Sequence, residues 1–263
     1  MADPVTAHTA FGWVALFASS ACAGAINSVA GGGTLLTFPT LIWLGLPSIA
    51  ANATSTVGLV PGSLAGVWGY RREVHEVRQW LVWLIPSSVI GGIIGAVLLT
   101  KTPPAVFDQL VPLLVLGATI LFMANGPVSR RVSASLAEGP GRAHGWIVAV
   151  CQLFIAVYGG YFGAGIGILM LAALGLLHLG SIHRMNGLKT FAAAAINSVA
   201  AALFIVKGLV HWPEALMMAA GSIAGGYLGA DTARRLGQRT VRLIVIGIGL
   251  ASTIALGVQR YLK

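Results

Sequence analysis

The sequence predicts an all-α membrane protein built as two inverted repeats of about five apolar segments each, with Gly-rich broken or re-entrant half-helices at the start of each repeat. Three observations predict it. Of 263 residues, 57% are apolar, only 9% are charged and 35 are glycine, whereas an ordinary soluble domain is about a quarter charged. The charges gather in short clusters between apolar stretches, and a set of local matches recurs at one offset of 134 residues. Such a composition cannot build a water-facing shell, and it excludes a disordered chain, collagen and a disulfide scaffold. A bilayer accommodates it and favours glycine at helix contacts. Cys22 and Cys151 lie inside apolar runs and read as small buried residues without redox or metal work.

Cutting the apolar stretches at charges, Pro and Gly clusters gives the segments in order. The first, 11–26, runs into the polar, Gly-rich stretch Asn27–Thr34; 34–46 stops at Pro47, 50–70 at Arg71, and 79–99 lies between Arg78 and Lys101. The fifth, 105–124, ends at the turn signal Asn125-Gly126-Pro127. Segments 145–158 and 164–179 flank a second Gly-rich run, 186–206 stops at Lys207, 212–230 stops at Asp231, and 240–260 closes the set. A span needs about 20 residues. Segments 34–46, 145–158 and 164–179 are short and read as half-helices or re-entrant hairpins, which a membrane tolerates only where irregular backbone is buried in protein or lines a cavity. The resulting units are a first transmembrane repeat, 1–124, a cytoplasmic linker, 125–143, and a second repeat, 144–263.

Charge sets the orientation. With the amino terminus outside, the inner loops hold Arg71, Arg72, Arg78, Arg130, Arg131, Arg142, Arg184, Arg234, Arg235, Arg239 and Arg242, and the outer ones hold Lys101, Lys207, Arg260 and Lys263. Eleven against four follows the positive-inside bias, with Lys189 left inside a helix. The formal charge of +9 is thereby read as loop charge facing a lipid bilayer, with no nucleic-acid partner. Met1 to Ala10 has no Lys or Arg and reads as a mature amino terminus, not a signal peptide.

The repeat rests on three matches. Gly91-Gly92-Ile93-Ile94-Gly95-Ala96 pairs with Gly225-Gly226-Tyr227-Leu228-Gly229-Ala230, Asn52 with Asn186, and Ala118-Thr119-Ile120 with Ser252-Thr253-Ile254. An odd number of segments per half inverts the second copy, a common plan for secondary transporters with substrate bound between the halves. Gly91, Gly92, Gly95 and their partners read as helix-packing glycines.

Two kinds of polar break suggest a site. In Asn27-Ser28-Val29-Ala30-Gly31-Gly32-Gly33-Thr34, successive glycines free the backbone and bring amides close to a ligand, while the segment starting at Thr34 offers a positive helix terminus. Gly163-Ala164-Gly165-Ile166-Gly167 is the counterpart in the second half. The alternative is that these glycines only let helices approach. Asn52, Thr54, Ser55 and Thr56, with Asn186, Lys189 and Thr190 at the repeat positions, form polar turns at helix starts; binding and helix capping are both open for Asn52 and Thr54. A Lys inside a span costs about 2.5–3.5 kcal/mol, so Lys189 faces a cavity or partner unless it snorkels to the inner interface. Asn197-Ser198 reads as an interhelical hydrogen-bonding pair, and His183-Arg184 as a loop facing the cytoplasm.

Enzyme and metal chemistry lack their residues. No His pair has metal spacing, and all seven acids, Glu214 among them, map to segment ends or loops. No cofactor motif is present: Gly163–Gly167 follows no strand and precedes no Gly-Lys-Ser/Thr. The partner expected is a small anion, and homo-oligomer formation is left open.

The run Gly24-Ala25-Ile26-Asn27-Ser28-Val29-Ala30-Gly31-Gly32-Gly33-Thr34-Leu35-Leu36, with Phe38-Pro39, Leu44-Gly45 and Ala51-Asn52-Ala53-Thr54-Ser55-Thr56, resembles the TauE/SafE family of sulfite and organosulfonate exporters, also called the TSUP family. The match is specific through about residue 72. The resemblance implies an inner-membrane transporter of small sulfur-containing anions such as sulfite, sulfoacetate or related sulfonates. Where the first half has Thr54-Ser55-Thr56 the second has Leu188-Lys189-Thr190, so the implied site is asymmetric, with its cation from the second half. Each anionic charge leaving a negative interior gains about 2.3 kcal/mol per 100 mV, so without a buried acid export runs as a uniport. A proton-coupled importer and a non-transporting assembly factor are the competing expectations.

Overall fold

The computed structural model describes residues 9–29, 31–135, 145–175, 177, 181–236 and 238–261. Every regular element among them is helical. In the first half these are α1 (Ala10–Val29), α2 (Thr34–Trp43), α3 (Ser48–Gly69), the short α4 (Arg71–His75), α5 (Leu81–Lys101) and α6 (Pro104–Ser135). The second half has α7 (Gly145–Tyr161), α8 (Ile166–Gly175), α9 (Ile182–Val206), α10 (Trp212–Leu236) and α11 (Gln238–Tyr261). Four stretches, Ala10–Asn27, Arg78–Lys101, Pro104–Ala124 and Ile182–Val206, are long and apolar enough to cross a membrane. Large apolar side chains such as Phe11, Trp68, Phe154 and Val206 are exposed, as lipid-facing residues are. The chain is a multi-pass membrane protein.

Packing pairs the first long helix of each half with a late helix of the other: α1 lies along α10, and α7 along α5. The same exchange holds for α3 with α10 and α9 with α5, and for α6 with α8 and α11 with α2, while α3 packs on α9 and α6 on α11. Swapping the two sets of five long helices therefore preserves these neighbours. Small residues make the seams. A Cβ on Gly91 would lie 2.6 Å from both the Leu153 carbonyl and the Ala156 Cβ, one on Gly95 would strike the Val157 carbonyl, and one on Gly225 would strike the Ala21 carbonyl. Lipid is as apolar as the helices, so close backbone approach, not hydrophobic burial, holds such seams.

Several boundaries differ from the sequence expectations. The turn at Asn125-Gly126-Pro127 does not form, because α6 continues through it to Ser135. A Pro inside a helix loses one backbone bond, which long helices accept when their remaining turns hold, as at Pro61 and Pro86. The stretch expected as a loop after Arg71 folds into α4 and a 3₁₀ turn, Arg78–Trp80. Burial explains this: Val74 and Val77 join a small core with Leu188, Met185 and Leu174. Cys22, expected buried, is exposed, and Cys151 is half-buried. Asn197 and Ser198 make no interhelical hydrogen bond among the described residues; small neighbours such as Ala194, Ala200 and Ala201 fill that helix face instead. Residues 1–8 and 136–144, on which the reading of the amino terminus and part of the linker fall, lie outside the described residues.

The seams give a paired stability prediction. Gly95→Val should destabilise the detergent-purified protein by about 1–3 kcal/mol or prevent its insertion. Gly117, with nothing within 4 Å of a Cβ, should accept Ala at no cost and with a gain of up to about 1 kcal/mol from helix propensity. Thermal melts of both variants against the parent check it.

Candidate functional site

The chain leaves helical geometry at the same place in both halves. Gly31 and Gly32 have φ of 71° and 119°, and Gly163 and Gly165 have φ of 80° and 77°, torsions open to glycine at little cost. The two breaks touch: a Cβ on Gly31 would lie 2.9 Å from the Gly167 Cα. Around them Phe38 meets Phe162 edge-on at 5.3 Å, and the Phe122 ring lies 3.0 Å from where a Gly32 Cβ would be.

The breaks are held in opposite ways. In the first, Asn27 Oδ1 accepts from the amides of Gly32 (3.0 Å) and Gly33 (2.8 Å), and the Gly31 amide donates to the Ile26 carbonyl. These amides, expected from the sequence to face a ligand, are already engaged; Thr34 opens α2 half-buried, and the side chain of Ser28 lies outside the described part. In the second break a carbonyl is clasped: Tyr158 donates its hydroxyl to the Ala164 carbonyl at 2.8 Å. No acceptor lies in hydrogen-bonding geometry for the amides of Ala164, Gly165, Ile166 or Gly167 among the described residues, although all four residues are buried. A buried amide without acceptor costs about 1–3 kcal/mol, so this stretch is a standing demand for acceptor oxygens.

The polar turn of α3 reaches across to the second half. The N-cap of α3 is Pro47, with no side-chain cap, so Asn52 and Thr54 do not cap their own helix. Asn52, 1% exposed, donates from Nδ2 to the Tyr161 carbonyl at 3.0 Å, while its Oδ1 is buried and has no partner among the described residues. Thr54 Oγ1 accepts from the His211 amide at 3.0 Å, at the entrance to α10. Ser55 and Thr37 share a hydroxyl hydrogen bond of 2.7 Å between α3 and α2.

The repeat mates on α9 share part of this design. Thr190 Oγ1 donates to the Asn186 carbonyl as Thr56 Oγ1 does to that of Asn52, and Asn186 Oδ1 is likewise buried with no partner among the described residues. Lys189 stands where Ser55 does. At 2% exposure it is enclosed by protein. Arg184, expected to face the cytoplasm from a loop, instead lies in the first turn of α9, where its Nε donates to Glu76 at 2.8 Å.

Three residues at the site carry no signal in the sequence. Tyr158 and Tyr161 look like ordinary aromatic residues at a helix end, and only the fold shows the hydroxyl of one and the carbonyl of the other at the breaks. Glu214 is the third. An acid at a helix start is usually exposed, yet Glu214 is 5% exposed, because α1 and α3 both pack on α10, and its Oε2 has no partner among the described residues. The premise of the uniport expectation, that no acid is buried, therefore fails. Among the described residues no group of three or more His, Cys, Asp and Glu could hold a metal ion.

Comparison with known proteins adds the family. The family model described as sulfite exporter TauE/SafE matches residues 16–256. The chain belongs to that family. This TauE/SafE protein is 29% identical over 237 residues to a "Probable membrane transporter protein" of Haemophilus influenzae, covering 88% of this chain and 89% of that one. It is 26% identical over 240 residues to "Probable membrane transporter protein ORF9" of a Sinorhizobium species, covering 90% and 89%. It is also 26% identical over 233 residues to "Probable membrane transporter protein YfcA" of Escherichia coli K12, covering 88% and 84%. No solved structure matches. The TauE/SafE chain is a membrane transporter, and its two Gly-rich breaks lie inside the matched range.

The first break supplies a test of its own architecture. Asn27→Ala strands two amides that Asn27 now satisfies, and should lower stability by about 1–3 kcal/mol. Asn27→Asp, which keeps an acceptor, should lose less. Denaturation of the purified variants in detergent measures both.

Proposed function

We propose that the chain exports small sulfur-containing anions, such as sulfite, sulfoacetate or related sulfonates, across the bacterial inner membrane, through a midplane site between two inverted repeats. One observation carries this reading. The buried amides from Ala164 to Gly167 have no acceptor in hydrogen-bonding geometry among the described residues, and they lie where the two breaks meet. Sulfite and sulfonate oxygens are strong acceptors, and the positive end of α8 favours their charge. Lys189 adds the long-range attraction that neutral amides lack, from the position at which the other half has the neutral Ser55.

In this arrangement Gly165 and the amides of Ala164, Ile166 and Gly167 hold the anion, with Thr34, Asn52, Asn186 and Lys189 around it, while Gly163, whose amide bonds the Tyr158 carbonyl, shapes the break. Asn27, Gly31, Gly32, Gly33, Thr54, Ser55 and Thr190 keep the breaks and turns in shape. Five long helices per half and the exchange of neighbours between halves support inverted repeats, 1–124 and 144–263. The arginine bias supports both termini outside and the linker 125–143 in the cytoplasm.

Binding to the purified protein tests the site. Sulfoacetate carries two charges at neutral pH and isethionate one. Lys189→Gln should weaken sulfoacetate about tenfold more than isethionate, the effect of roughly 1.4 kcal/mol of lost charge interaction. An unchanged affinity ratio would remove Lys189 from the site. Saturable sulfonate flux in liposomes separates transport from an assembly role, which would show none.

A further inference from the structure

The start of α10 contains an acid in an unusual position. In His211-Trp212-Pro213-Glu214, an acid three residues into a helix start commonly reaches back to the amide of the first of the four, forming a capping box. Here that amide, of His211, is bonded by Thr54 Oγ1 at 3.0 Å. Thr54 has taken the acceptor role, and Glu214 is left 5% exposed with Oε2 buried and unpartnered among the described residues. A carboxylate so placed has one oxygen without a donor among the described residues, and the start of α10 is the positive end that faces it.

Among the described residues no ion pair reaches it. Residues 214, 218, 221 and 225 follow one stripe of α10; Met218 packs against Gly58 of α3, and Gly221 and Gly225 pack against Phe17, Ser20 and Ala21 of α1. Glu214 thus enters the seam between α1 and α3. Neither helix carries an Asp, Glu, Lys, Arg or His, and the one cysteine, Cys22, is exposed. Lys207 and His211 in the preceding loop are exposed. On α11 the ionisable residues are Arg239, Arg242, Arg260 and Tyr261, whose side chains lie outside the described part.

We propose that Glu214 is a proton-binding site and that its proton travels with the anion. The inference rests on the anion site above, to which Thr54 links it. The same turn of α3 that bonds the start of α10 through Thr54 bonds the second break through Asn52 and α2 through Ser55. A carboxylate beside this turn repels an arriving anion, and a carboxylic acid does not, so proton and anion bind together. The proton enters Glu214 from the side on which the anion binds and leaves on the side where it is released. For a monovalent anion the carried unit is then neutral, so the membrane voltage does no work on it; export runs down the anion's own gradient, and an acidic exterior opposes it.

Isethionate, whose charge does not change with pH, is the probe in liposomes holding the purified full chain. Exchange of labelled isethionate between equal pools reports the anion site; accumulation against its gradient under a pH difference reports coupling. The wild type should do both, with about tenfold accumulation per pH unit for one proton per anion. Glu214→Gln should keep exchange, at a rate that no longer depends on pH, and lose pH-driven accumulation. Accumulation by Glu214→Gln equal to wild type, or wild-type accumulation that follows voltage and not pH, overturns the proposal. Absence of isethionate exchange in the wild type overturns the anion site, and the coupling with it. If Glu214→Gln does not insert, dicyclohexylcarbodiimide decides on the wild type. This reagent modifies protonated carboxyls in apolar surroundings, and mass spectrometry should find it on Glu214 at acid pH together with loss of accumulation; no modification there counts against the proposal.

Discussion

Direct contact between helix backbones, made through glycine, is the constraint on which the remaining structure depends. In lipid there is no hydrophobic gain from pressing two apolar helices together, so α1 against α10 and α7 against α5 must fit closely enough for dispersion to hold them. Gly91 and Gly225 bring helices so near that a methyl group would meet a carbonyl across the seam. Those two seams run along α1 and α7, the helices that lead into the breaks at Gly31–Gly33 and Gly163–Gly165, and the breaks themselves meet where Gly31 touches Gly167.

The two halves then use one design for two ends. The first break satisfies itself: Asn27 consumes the amides that its glycines present. The second has a Tyr hydroxyl on a carbonyl, which leaves the amides to others. The polar turns differ as well: Ser55 closes a hydroxyl pair with Thr37, and its counterpart is the buried Lys189. A duplicated architecture with one break internally satisfied and the other short of acceptors among the described residues has breaks that are not equivalent.

Much of this was legible in the sequence, for identifiable reasons. Segment number and order follow from apolar runs cut by charge, Pro and Gly, and ten predicted segments correspond to the ten long helices described. The breaks were visible because three glycines in a row, as at Gly31–Gly33, or three within five residues, as at Gly163–Gly167, weaken a helix. The packing role of Gly91 and Gly225 followed from their shared offset. What the sequence hid were relations across the halves. Asn52 looked equally like a cap or a ligand, since nothing local announces that its partner is the carbonyl of Tyr161, 109 residues away. Glu214 looked exposed because an acid at a helix start usually is; its burial comes from two other helices. Asn125-Gly126-Pro127 carried a strong turn signal that α6 overrides by continuing as helix.

The exchange of partners between halves also bears on how the protein is made. When α6 has left the ribosome, the glycine faces of α1 and α5 have no counterpart, because α10 and α7 are still to be synthesised. The first five long helices must therefore wait in the membrane with open grooves, shielded by lipid or by the insertion machinery. A chain cut after Ser135 would not be a half-sized transporter but an unfinished surface, open to the corresponding helices of another copy.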